Sequence, residues 1–151
     1  MEEIISAIAT PHGKGGVAII RVSGEGALSL ASKMFTPSGK TPVENFEPYR
    51  MYPGQIDGGT FTDYGLCVYF KGPKSYTGED IIEFHCHGGE NVARGILKRS
   101  FALGARSATK PPLHSACISF WNPYAEKLSP SRVPPRRPRP RNNSSRYGPA
   151  L

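Results

Sequence analysis

The sequence predicts an α+β domain, a small mixed sheet with two helices, followed by a disordered basic tail rich in Pro and Arg. Three observations carry this reading. Several short runs alternate or are rich in β-branched residues, two other runs have helical spacing, and the composition changes sharply near Lys110. At 151 residues the chain allows one domain with a modest core. Residues 1–110 hold 12 Lys and Arg against 11 Asp and Glu, a net of +1, whereas residues 111–151 hold 7 against 1, a net of +6. Nine of the 15 prolines fall in the last 41 residues and 16 of the 17 glycines in the first 110. The expected division is therefore a folded unit at 1–110 and a tail at 111–151.

Along the folded unit, Ile4 to Thr10 reads as a first strand and Val17 to Val22 as a second, with a Gly-rich loop from Pro11 to Gly16 between them. Ala27 to Phe35 has helical spacing, with Leu28, Ala31 and Phe35 on one side. Thr36 to Pro48 reads as a loop. Tyr49 to Ile56 and Tyr64 to Phe70 read as strands joined by a hairpin turn at Asp57-Gly58-Gly59. Asp80 to His87 is a further strand, and Glu90 to Leu103 carries a helical stripe of Val92, Ile96, Leu97 and Phe101 stopped by Gly104. The expected order is β-β-α-β-β-β-α.

Most of the chemistry is concentrated in KSYTGEDIIEFHCHGG, Lys74 to Gly89. Strand residues two apart share a face, so Ile82, Phe84 and Cys86 can pack while Glu83, His85 and His87 present a carboxylate and two imidazoles. Gly88-Gly89 then makes a strand-to-helix turn that lets the backbone approach a ligand closely, and the helix N-terminus favours an anion there. A metal needs three or four ligands, and only His85, His87 and Glu83 cluster locally, so the imidazoles read as hydrogen-bonded side chains. Cys86 alternates away from both histidines, against a Cys-His nucleophile. Gly13-Lys14-Gly15-Gly16 lacks the order of a phosphate loop, with no Ser or Thr after the Lys, and reads as an inter-strand turn. Arg21, the single charge at the end of an apolar strand, is either a surface arginine or a contact for a carboxylate or flat heterocycle.

Cys67, Cys86 and Cys117 form no disulfide framework and no CxxC motif; Cys67 and Cys86 sit in apolar runs and read as buried thiols. No apolar run has membrane length, and the acidic start MEEIISAIAT is unlike a mitochondrial transit peptide. The expectation is a reducing cytoplasmic compartment, mitochondrial in a eukaryote, with no membrane partner.

Three blocks, IISAIATPHGKGGVAIIRVSG (Ile4 to Gly24), DYGLCVYFKGPKSYTGEDIIEFHCHGG (Asp63 to Gly89) and FALGAR (Phe101 to Arg106), together resemble the N-terminal domain of the tRNA wobble-uridine modification GTPase family, MnmE or TrmE. The resemblance covers roughly residues 1–110. It implies a domain that binds a one-carbon tetrahydrofolate, formyl or methylene, and forms a homodimer. In the family this domain precedes a helical domain with an inserted GTPase domain, and the folate supplies the carbon added to tRNA with a flavin-dependent partner protein. A folate has a polar-edged pterin ring and an anionic glutamate tail. Arg21 and Lys74 supply positive charge, Tyr76 an aromatic surface, and Glu79, Asp80 and Glu83 are candidate carboxylates for the pterin donors. Thr77, His87, Gly88 and Gly89 complete the candidate cofactor-binding set, and no catalytic residue is assigned. The family's GTPase motif is not found, so the chain is not expected to hydrolyse GTP.

The resemblance stops near Lys110. In the family the next segment runs Gly-Glu-Phe-Thr and then Arg-Ala-Phe-Leu-Asn-Gly; here it reads LHSACISFWN. Reading those codons one nucleotide later permits Phe-Thr-Ala-Arg-Ala-Phe-Leu-Ser-Gly, although the two preceding prolines do not yield Gly-Glu. The tail is therefore read as out of frame and the helical and GTPase domains as missing. Two rivals stand beside this: a stand-alone RNA-binding protein using Arg136, Arg137, Arg139 and Arg141, and a small folate enzyme with its acid or base between Glu79 and His87.

Overall fold

The computed structural model describes residues 3–11, 15–75 and 77–108. The tail at 111–151, Tyr76, Lys14 and Cys117 lie outside the described residues, and with them the frame-shift and RNA-binding readings. The elements run β1 (Ile5–Ile8), β2 (Val17–Ser23), α1 (Ala27–Met34), β3 (Phe35–Pro37), a 3-10 turn at Val43–Asn45, β4 (Met51–Asp57), β5 (Thr62–Phe70), β6 (Ile81–His87), α2 (Glu90–Ala102) and β7 (Arg106–Ser107). The expected order is recovered, with two short additions: β3 takes Phe35, read as the last residue of the first helix but extended here at φ -124°, together with the first two residues of the segment read as a loop, and β7 follows the second helix.

The strands form one seven-stranded mixed sheet in the order β3-β4-β5-β6-β2-β1-β7. Every pairing is antiparallel except β1 with β7. The strands at the centre, β2 and β6, pair from Val17↔His87 to Ser23↔Ile81. That register aligns Ile20 with Phe84 and Val22 with Ile82 on one face, and β5 adds Cys67 and Tyr69 to it. All six are buried. The alternation of Ile82, Phe84 and Cys86 thus marks the core face, as the period of two requires.

Both helices pack on this face. From α1, Ala27, Leu30, Ala31 and Met34 are buried, and from α2, Ala93, Ile96 and Ser100. Burying side chains such as Phe84, Ile20 and Ile96 stabilises the fold by about 1.5–3 kcal/mol each relative to exposure. Phe46 stacks on Tyr52 with ring centroids 3.7 Å apart and meets Phe35 edge-on at 6.1 Å, closing the core beneath β3 and β4. Gly104 ends α2 as the sequence implies. It adopts φ 111°, its N–H donates to Phe101 O (3.0 Å) and the Ala105 N–H donates to Ser100 O (3.0 Å), a Schellman pair. The β4–β5 hairpin turns through Gly58 to Phe61, with the Gly58 N–H donating to Phe61 O (2.9 Å) and the Gly59 N–H to Asp57 Oδ1 (2.7 Å).

No described helix covers the opposite face. It carries Val17, Ile19, Arg21 and Ser23 from β2, Ile81, Glu83, His85 and His87 from β6, and Leu66, Val68 and Phe70 from β5. Val17, Met51 and Tyr64 on this side are each more than half exposed. No described helix is long and apolar enough to cross a membrane.

Candidate functional site

On the face that no described helix covers, the charged and hydroxyl side chains of the two central strands lie side by side, Arg21 and Ser23 on β2 and Glu83, His85 and His87 on β6. Antiparallel register sets Arg21 directly opposite Glu83. Arg21 Nε donates to Glu83 Oε1 at 2.8 Å, and a second guanidinium nitrogen donates to the same oxygen. The other carboxylate oxygen, Oε2, lies 3.0 Å from His85 Nε2, two residues along the same strand face. Both side chains of the Arg21–Glu83 pair are only 10% exposed. Burial pushes the Glu83 carboxyl up, but the hydrogen bond from His85 and the charge and hydrogen bonds of Arg21 outweigh it and hold the carboxyl below its ordinary value. The result is a sheltered, ionised carboxylate fixed by a cation on one side and an imidazole on the other.

Two rungs further along, and on the same face, Ser23 pairs with Ile81 at the end of both strands. Ser23 Oγ donates to Glu79 Oε2 (3.0 Å) and lies 3.3 Å from Thr77 Oγ1. This brings Thr77 and Glu79 to the Ser23 end of the strand pair, on the face that carries Arg21 and Glu83. The loop between β5 and β6 is further closed by the Gly72 N–H, which donates to Asp80 Oδ1 (2.9 Å), and by Ser75 Oγ, which donates to Glu79 O. Asp80 also takes part in a hydrogen bond with the Tyr69 hydroxyl, whose pKa is pushed up to about 12 by burial and by the Asp80 charge and hydrogen bond. Lys74 is exposed on the same loop.

Of the residues singled out from sequence, Arg21, Glu83, Glu79 and Thr77 therefore lie together, with Lys74 on the adjoining loop. Asp80 is occupied in closing that loop. His87 stands at the other end of β6, where Asp63 accepts both its backbone N–H (2.8 Å) and its ring at Nδ1 (2.7 Å). Gly88 is needed for a contact within the chain: a Cβ there would lie 1.6 Å from Gly15 O, and its N–H donates to Gly16 O at 2.9 Å. Gly89 opens α2 at φ 140°, a conformation that disfavours other residues. Tyr76 lies outside the described residues.

Three participants were not in the expected set. Ser23 is the hydroxyl that ties the loop to β2, Asp63 orients His87, and His85 completes the Glu83 cluster. The block itself signalled His85 by alternation; the partners of Ser23 and Asp63 lie 54 to 56 and 24 residues away, with no local signal. Among the described residues no group of three or more His, Cys, Asp or Glu is arranged to hold a metal ion.

The described residues thus form an α+β domain, a mixed sheet with both described helices on one face and a charged cluster on the other, and sequence comparison supplies the family. Residues 4–111 match the family model described as GTP-binding protein TrmE N-terminus, and the chain belongs to that family. It is 42% identical over 109 residues to tRNA modification GTPase MnmE of Roseiflexus castenholzii, covering 71% of this chain and 23% of that protein. It is also similar to proteins of the same name from Protochlamydia amoebophila (45% over 108 residues, 70% and 23%) and Sulfurimonas denitrificans (46% over 110 residues, 72% and 23%). The chain thus spans about a quarter of the length of these relatives.

Proposed function

We propose that the folded unit is the tetrahydrofolate-binding, self-associating N-terminal part of a tRNA-modifying GTPase. The observation that carries this is the ionised Glu83, held between Arg21 and His85 on a face that no described helix covers. A carboxylate oxygen has two acceptor positions; Arg21 fills both on Oε1 and His85 takes one on Oε2, so one position on Oε2 remains for an N–H donor of a pterin edge. Arg21 is engaged by Glu83, and its role is to orient that carboxylate. The exposed Lys74 is the cation for the glutamate tail of the folate. The apolar surroundings formed by Ile19, Leu66, Val68 and Phe70 suit the flat ring.

Self-association is supported by the same face, where Val17 (58% exposed), Met51 (56%) and Tyr64 (55%) present large apolar side chains to solvent. A one-carbon folate bound there serves the wobble-uridine chemistry of the tRNA modification GTPases, acting with tRNA and a flavin-dependent partner. Titration calorimetry with 5-formyltetrahydrofolate tests the proposal. Saturable binding is expected, weakened about thirtyfold or more by Glu83→Gln, since losing the charged partner of a buried hydrogen bond typically costs about 2–5 kcal/mol. No heat at millimolar folate, from a chain shown to be folded and dimeric, contradicts it.

A further inference from the structure

Tyr49 is the one non-glycine residue among those described whose backbone stands in the left-handed region, at φ 64°. A bulky aromatic is an outlier there, and such a conformation persists only where the surroundings enforce it. Burial does not enforce it here, because Tyr49 is 61% exposed. Three directed contacts hold the residue instead. Its N–H donates to Tyr69 O at 2.8 Å, its ring meets Phe70 edge-on with centroids 5.4 Å apart, and its hydroxyl donates to the Lys74 carbonyl. The left-handed turn just before β4 thus brings the side chain across the end of β5 to the loop that leaves the sheet at Phe70.

That loop carries Lys74, Thr77 and Glu79. Its return side is tied to β2 through Ser23, and its two sides are tied to each other through Gly72–Asp80 and Ser75–Glu79. Tyr49 holds the outgoing side at Lys74, from a different part of the chain. We propose that Tyr49 is a latch: a positioning residue that accepts an unfavourable backbone conformation in order to fix the loop, and with it Lys74, at the end of the sheet where Ser23 ties the loop to the strand that carries Arg21. Its purpose in ligand binding rests on the folate reading above; the latch itself does not.

Hydrogen–deuterium exchange on the full chain separates the two. Tyr49→Phe keeps the ring and removes the hydroxyl, and Tyr49→Asn tolerates the left-handed backbone but is too short to reach Lys74. In both variants, without ligand, exchange in the peptide spanning residues 71–80 is expected to rise about fivefold or more, the scale of one lost hydrogen bond. Exchange in β2 and the thermal midpoint should stay at wild-type values. Affinity for 5-formyltetrahydrofolate should fall by a similar factor. Faster loop exchange in a chain whose wild type binds no folate leaves the latch standing and removes the folate reading. Unchanged loop exchange overturns the latch, as does global unfolding of Tyr49→Phe, since the hydroxyl would then be holding the domain and not the loop.

Discussion

Glu83 shows how a single residue can be legible in type but not in circumstance. Alternation within IIEFHCH places it on the face away from Ile82 and Phe84, and the structure agrees. Its pairing with Arg21 spans 62 residues and depends on strand register, which local sequence does not encode. The same pairing makes a pH prediction. The folded-state pKa of Glu83 is depressed, so its contribution to stability is full above the unfolded value of about 4.3 and is lost as pH falls through the folded value. Urea midpoints measured from pH 6 to pH 3 should therefore fall more steeply for the wild type than for Glu83→Gln; parallel slopes would show that Glu83 is not held by the Arg21–His85 cluster. The cysteines were simpler to read, because apolar neighbours on a strand are enough to place a thiol inside. Burial raises the pKa of Cys67 well above its ordinary value and that of Cys86 to about 11, with the Asp63 charge adding to the latter. Both thiols should resist a water-soluble maleimide at pH 7 until the chain is denatured, and labelling of either under native conditions would contradict their burial.

Among the elements, those with several residues of clear period were legible and the shortest were not. β6 and α2 follow from alternation and from the helical stripe, and Gly104 gives the stop. β3 is three residues long and contains Pro37, too short for a period to show; β7 is two residues whose strand state comes only from pairing with β1. The glycines at 88 and 89 suggest a backbone that comes close to a ligand, but what lies against Gly88 is the Gly15-Gly16 segment of the same chain. A local sequence reveals that a backbone must come close to something; it does not say to what. Gly88→Ala would drive a Cβ into Gly15 O and the Gly15 carbonyl carbon, at 1.6 and 2.4 Å, so the two segments must separate. A loss of about 1–3 kcal/mol or more is expected in urea unfolding. At Gly16 an added Cβ meets nothing within 4 Å, so Gly16→Ala should be within about 0.5 kcal/mol of wild type. Equal effects at the two glycines would show that Gly88 is not packed against this loop.

At the scale of the whole molecule, both described helices lie on one side of the sheet, and among the described residues the other side carries the charged cluster and Val17, Met51 and Tyr64. The fold class was available from the order of periodic segments, but which face the two described helices cover was not, because helix placement depends on tertiary packing. If that face is the self-association surface, Met51→Glu and Val17→Glu should shift the chain toward monomer in sedimentation velocity without lowering its thermal midpoint. An unchanged oligomeric state would move the interface elsewhere. The most direct measurement is amide exchange with and without saturating 5-formyltetrahydrofolate. Protection is expected in β2 from Ile19 to Ser23, in β6 from Ile81 to His85 and in the loop that carries Lys74 and Glu79. Protection confined to the groove that Gly59, Phe61, Asn91 and Lys98 line between the β4–β5 turn and α2, or no protection anywhere in a folded chain, would contradict a folate site centred on Arg21 and Glu83.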